Sequence, residues 1–211
     1  MSDRILLGTR KGTALLQRSG GAWRARSIAH PGVSIAYAAA DPRDGTLWAC
    51  LDHGHWGPKM SRSKDGGDTW EDATSIKYPE GARYIQQYLP APGDEAPSAE
   101  TKQPTYRDAS VLKVWCLAFG GADEPGTIYA GTIPGGLFVS RDGGDSWELN
   151  RPLWNHASRG GDLFAGEATS ENCWSGTPAA IAYGEFAPGI HSIVVDPRDS
   201  RHLFVGVSSA G

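Results

Sequence analysis

The chain has 211 residues, of which 39% are hydrophobic and 21% charged, with 28 glycines, 14 prolines and 8 tryptophans. That composition predicts a turn-rich globular protein with a sizeable core. A formal charge of -4 and a pI near 5.8 leave no basic stripe for a polyanion, so nucleic acid and an anionic membrane are excluded as partners.

The start, Met1-Ser2-Asp3-Arg4, runs straight into Ile5-Leu6-Leu7 without an apolar signal region, and no run of about 18 apolar residues follows, so a cytoplasmic location is expected. Cys50, Cys116 and Cys173 are widely spaced and odd in number, which fits buried thiols in a reducing compartment. Short apolar runs then alternate with glycine-bearing turns. Residues 4–29 read as an incomplete first unit: Arg4–Thr9, a turn at Arg10-Lys11-Gly12, then Thr13–Gln17 and a Ser19-Gly20-Gly21-Ala22-Trp23 corner. Residues 33–73 read as a complete second unit of four strands, with an Asp41-Pro42-Arg43-Asp44-Gly45 turn and a polar loop Asp52-His53-Gly54-His55-Trp56-Gly57.

Residues 74–113 form a first insertion with a Pro/Ala/Glu stretch; its Tyr- and Arg-bearing flanks, among them Tyr78, either fold back over the rim or stay a solvated loop, and the solvated loop is the reading preferred. A third four-stranded unit spans 114–149, a second insertion 150–189, and a fourth, two-stranded unit 190–211.

The second and third units each end in the same pattern, S-x-D-x-G-x-[ST]-W. It is formed by Ser63, Asp65, Gly67, Thr69 and Trp70, and again by Ser140, Asp142, Gly144, Ser146 and Trp147. Each carboxylate is expected to accept from nearby backbone N–H groups, each glycine to take φ > 0, and each tryptophan to pack the turn on its neighbour. The box is thus expected to clasp a hairpin rather than to catalyse. The two boxes lie 77 residues apart, at positions 65 and 142, more than one propeller blade of about 40 to 50 residues.

This pattern resembles the Asp-box (BNR) repeat of sialidase-like β-propellers. It implies an all-β fold of four-stranded antiparallel blades. Three, four, four and two strands are countable, so the expectation is the N-terminal part of a six- to eight-bladed ring; were the 211 residues the whole protein, partner chains would have to cover its open edges.

In such blades the boxes and Asp-Pro turns lie at one end and the longer polar loops at the other, where binding is expected. Arg10, His53, His55, Trp56, Trp154, His156, Arg159 and His191 fall at that rim and are the candidate substrate-binding residues. Trp154, His156 and Arg159 bring the aromatic, imidazole and guanidinium groups that suit stacking and hydrogen bonding to a sugar, although a loop folded on its own tryptophans would read the same. His191, opening an innermost strand, suits hydrogen bonding or proton transfer. A His-x-His pair in a loop does not by itself define a metal site, so neither metal nor cofactor is expected.

Together with Ile5–Gly12, His53–Lys59, Leu153–His156 and Ile190–Pro197, the boxes make the chain resemble soluble bacterial propellers labelled exo-α-sialidase-like or BNR-repeat glycosyl hydrolases. That resemblance implies an arginine triad clamping a substrate carboxylate, a Tyr nucleophile helped by Glu, and an Asp acid/base. The family's R-I-P motif fails here, since Arg4-Ile5 is followed by Leu6; Arg10, in a rim turn, is the alternative first clamp. No complete catalytic set is assigned. Two readings stand: a glycoside hydrolase-like propeller with a small-molecule or glycan ligand, and a non-catalytic propeller whose rim holds a protein partner.

Overall fold

Trp48-Ala49-Cys50-Leu51 is a continuous apolar run because its sheet is covered on both faces. The same holds down the chain, and it produces a stack of antiparallel sheets. The computed structural model describes residues 3–86, 105–156, 161–162, 167–168 and 189–208. The first sheet has three strands, β1 (Arg4–Thr9), β2 (Gly12–Ser19) and β3 (Ala22–Ala29). The second has four, β4 (Ser34–Ala40), β5 (Leu47–His53), β6 (Gly57–Ser63) and β7 (Glu71–Ala73). A hairpin of β8 (Arg83–Gln86) and β9 (Thr105–Asp108) leads to the third sheet of β10 (Lys113–Phe119), β11 (Ile128–Ile133), β12 (Leu137–Ser140) and β13 (Glu148–Leu149). A short helix α1 (Arg151–Trp154) and the two-residue pair β14 (Gly161–Asp162) and β15 (Glu167–Ala168) precede the last sheet, β16 (Gly189–Val195) with β17 (Leu203–Ser208). Every sheet runs in chain order with antiparallel neighbours, and the fold is an all-β partial propeller.

The core lies between successive sheets. Ile35, Ala49 and Leu51 pack with Trp70 on the first-sheet side of the second; Trp48, Met60, Ile128 and Phe138 fill the space between the second and third; Cys116, Leu137, Ile190 and Ile193 fill that between the third and fourth. Burying side chains such as Met60, Ile128 and Phe138 contributes about 1.5–3 kcal/mol each. Glycines set the approach of one sheet to the next. A Cβ on Gly8 would lie 2.8 Å from Ile35 Cγ2, and one on Gly131 would lie 2.6 Å from Ile190 Cγ2, so a side chain at either position would push the next innermost strand away.

Both boxes close in the same way. Ser63 Oγ accepts from Gly67 N (2.8 Å) and donates to Asp65 Oδ1 (2.8 Å), while Asp65 accepts from the N–H groups of Asp68 (3.1 Å) and Thr69 (2.9 Å). Ser140, Asp142, Gly144, Asp145 and Ser146 repeat these bonds. The first sheet departs from the box. Its β2–β3 turn has only Gly20 and Gly21, both at positive φ (58° and 84°), with Ser19 facing Ala22. A two-glycine hairpin needs no carboxylate to hold it.

The flanks of the first insertion are a second departure, because they are not all solvated. Ile76 is buried, and Tyr78 bonds across the third sheet's end loop to Thr132 Oγ1 (2.8 Å) and to the carbonyl of Pro134 (2.7 Å). The apolar flank has a place to go because the Tyr78 ring packs on those of Phe138 and Trp154, with centroids 5.0 and 4.9 Å apart.

Candidate binding site at the channel mouth

The first strands of successive sheets pack side by side, β4 against β10 and β10 against β16, which makes them the innermost strands. Each carries one extra residue at the same place. Pairing with the neighbouring strand skips from Ile35 to Tyr37, from Val114 to Cys116 and from Ile190 to Ser192. Ala36, Trp115 and His191 are therefore equivalent bulged residues. A bulge bends its strand and re-aims the side chain it carries, and here three of them stand in line near the starts of the innermost strands. Across the boundary between the third and fourth sheets, the Trp115 and His191 rings meet edge to face, with centroids 6.0 Å apart.

The same end of the sheets holds the β1–β2, β5–β6 and β11–β12 turns. Arg10 is exposed in the first of these. In the second, the His53 ring accepts at Nδ1 from the N–H groups of His55 (3.3 Å) and Trp56 (3.2 Å), which places its ring proton on Nε2. Its Nδ1 is thus committed to holding the turn. His55 packs edge-on to Trp56 at 4.7 Å, and Trp56 is 69% exposed. Beside them Lys113 Nζ and Asp52 Oδ2 form an ion pair of 2.9 Å that ties the second sheet to the third, next to exposed Leu112. His156 is exposed just beyond α1, and His191 is exposed on β16. Arg159 lies outside the described residues.

Trp154 corrects the sequence reading. It is 1% exposed and packs with Tyr78 in the core, so its ring is not available for stacking a ligand. The physical reason is α1, which Asn150 caps by accepting from Leu153 N (3.0 Å) and which turns Trp154 inward. Arg4 stands at the opposite end, its Nη1 3.3 Å from where a Cβ on Gly66 of the first box would lie.

Three groups buried behind the site, Cys116, Cys50 and Tyr37, are neutral at neutral pH. Burial pushes the Cys116 thiol up to about 11 and the Cys50 thiol higher still, and burial also raises Tyr37. Neither thiol is a nucleophile in this state. Among the described residues, no group of three or more His, Cys, Asp or Glu is placed to hold a metal ion. Among them, no helix is long and apolar enough to cross a membrane. Trp115 and Ala36 escaped the sequence reading. Aligning Lys113-Val114-Trp115-Cys116 with Gly189-Ile190-His191-Ser192 would have paired Trp115 with His191.

No family model matches the chain. The cytochrome bc1 complex cytochrome c subunit of Corynebacterium efficiens is 30% identical over 129 residues, covering 59% of this chain and 40% of that protein. The chain thus spans about two-fifths of that relative's length. Among solved structures, YCF48 from Cyanidioschyzon merolae is 14% identical with a TM-score of 0.36, covering 99% of this chain and 62% of that one. YCF48 bound to D1 peptide is 14% identical with a TM-score of 0.35, covering 71% and 43%. The propeller assignment rests on the chain's own sheets.

Proposed function

We propose that this chain is a binding module whose channel mouth takes an extended protein segment. The observation that carries it is the repeated bulge, which sets Ala36, Trp115 and His191 on three successive innermost strands. Exposed Trp56 and Leu112, bordered by the Lys113–Asp52 pair, add an apolar anchor with a polar margin, the usual make-up of a protein-binding patch. One position favours binding over glycoside hydrolysis: Trp154 is spent in the core instead of serving as a sugar platform.

The test is selection of peptides from a displayed random library on the immobilised chain, run beside a glycan array. Enriched peptides should lose about 30-fold in affinity, about 2 kcal/mol, when an anchor such as Trp115 is cut to alanine. His191→Ala, at an exposed position, provides a second variant with little risk to folding. Glycan binding with no peptide enrichment would overturn the proposal.

A further inference from the structure

Of the β1–β2, β5–β6 and β11–β12 turns at the rim, the first two are each closed by a side chain of their own. Thr9 Oγ1 donates to the carbonyl of Gly12 (2.7 Å) and accepts from Lys11 N (3.1 Å), and His53 plays that part in the β5–β6 turn. The β11–β12 turn has such a residue in Thr132, whose Oγ1 donates to the carbonyl of Pro134 (2.6 Å) and accepts from Gly136 N (3.1 Å). It also has a partner from outside. The hydroxyl of Tyr78, 54 residues earlier in the chain than Thr132, bonds Thr132 Oγ1 at 2.8 Å and donates to the Pro134 carbonyl at 2.7 Å.

Thr132 and Pro134 are the chain neighbours of Ile133, so the Tyr78 hydroxyl grips the turn on both sides of that residue. Ile133 stands behind the channel mouth. A Cβ on Gly189 would lie 2.7 Å from Ile133 Cγ1 and 2.7 Å from Trp115 Cε3, so both side chains crowd the same point at the start of β16. Further along that strand is His191, whose ring meets that of Trp115 edge to face. The Ile133 carbonyl also accepts from Leu112 N (2.7 Å), which ties exposed Leu112 to the same turn. In close-packed surroundings a shift of Ile133 therefore reaches both the bulged ring and the apolar residue beside the Lys113–Asp52 pair.

The flank that carries Tyr78 is pinned on either side, because Ile76 and Ala82 are buried and the Ala82 carbonyl accepts from Ala109 N at 2.8 Å. The Tyr78 ring serves the core, packed on Phe138 and Trp154, whereas its hydroxyl serves the turn. We propose that Tyr78 is a positioning residue of the channel mouth: its hydroxyl fixes Ile133 and, through Ile133, the Trp115 ring on its bulge. This role rests on the reading of that mouth as a peptide-binding site.

Fluorine NMR on the chain labelled with fluorotryptophan is the test, with the Trp115 and Trp154 resonances assigned from Trp115→Phe and Trp154→Phe. Tyr78→Phe keeps the ring and removes the hydroxyl. The Trp115 resonance is expected to shift, while that of Trp154, although it touches the Tyr78 ring directly, stays near its parent position. Ile133→Val leaves Tyr78 intact and should also displace the Trp115 resonance. Affinity for the most enriched library peptide should fall about fivefold with Tyr78→Phe, the worth of one hydrogen bond. A merely structural role would move the Trp154 resonance alone. That result, a Trp115 resonance unmoved by either substitution, or a peptide affinity unchanged by Tyr78→Phe would each overturn the proposal. The resonances are read without ligand, so they decide the role of Tyr78 even where glycan binding overturns the peptide reading.

Discussion

Arg62 of the second sheet places Nη1 2.8 Å from Asp145 Oδ1 in the box of the third. The preceding boundary repeats this, with Arg26 Nη2 2.9 Å from Asp68 Oδ1 at the matching box position. The second acidic residue of each box therefore faces backward to the previous sheet, while the first holds its own turn. Arg62 does more than pair: it also donates to the carbonyl of Gly143 (2.9 Å) and lies over the Trp48 ring at 5.9 Å. Asp145 is largely exposed, so its charge pair is screened by solvent. Arg62→Ala is expected to cost about 1–2 kcal/mol and Asp145→Ala under about 1 kcal/mol. Urea midpoints of both single variants and the double variant check this; equal costs for the two would show that the ion pair, not the arginine's other contacts, ties the sheets.

Gly143 and Gly144 are neighbours with positive φ, 73° and 91°, but their surroundings differ. Space around Gly143 is open, whereas a Cβ on Gly144 would run into the Trp48 ring. Gly143→Ala should cost about 1–2 kcal/mol, the left-handed conformation alone. Gly144→Ala adds overpacking and should cost about 1–3 kcal/mol more. Thermal unfolding of the pair is the measurement, and equal costs would mean that the Trp48 contact does not constrain the boundary.

Acid should weaken the fold in two separate ranges. Hydrogen bonds from the Ser146 hydroxyl and N–H, then from Ser140, hold the Asp142 carboxyl well below its ordinary 3.8, and Thr69 and Ser63 do the same for Asp65. A depressed carboxyl contributes stability that is whole above pH 3.8 and is lost as pH falls through the folded-state value. His30 is the opposite kind of group: burial lowers it from 6.5, with Asp72 opposing more weakly. Below about pH 6.5 the unfolded chain takes up the His30 proton first, so stability falls with pH until the folded-state value is passed. His30→Asn preserves the left-handed backbone at φ 53° and a polar partner for Thr13, and should flatten the upper range alone. Asp142→Asn should make the lower range shallower, leaving the part that Asp65 carries. Urea midpoints from pH 8 to 3 read both; an unchanged pH profile in the His30 variant would remove the burial account.

The boxes were legible because Ser, Asp, Gly and Ser or Thr all act within eight residues of chain, and local chemistry is what a sequence displays. The sheets followed from the spacing of apolar runs and turns. The bulges at Ala36, Trp115 and His191 were not legible, since a bulge exists only relative to a partner strand's register. For the same reason the Gly20–Gly21 corner was legible as a turn but not as a two-residue hairpin, which only the pairing of Ser19 with Ala22 defines. Burial of Trp154 depends on Tyr78 and Phe138, which arrive from other parts of the chain.

Trp56 and Trp154, both candidate ligand platforms from sequence, should therefore separate cleanly under mutation. Trp154 is enclosed, so Trp154→Ala leaves a cavity beside Tyr78 and is expected to cost about 3–5 kcal/mol. Trp56 projects from the β5–β6 turn, and its ring touches His55 rather than the core. Trp56→Ala should change stability by less than about 0.5 kcal/mol. In the peptide-binding assay the order reverses: Trp56→Ala should weaken binding several-fold, while Trp154→Phe, which keeps most of the buried volume, should leave it unchanged. Stability loss from Trp56→Ala comparable to that from Trp154→Ala would mean that the turn is packed against the body of the molecule and cannot present its ring to a partner.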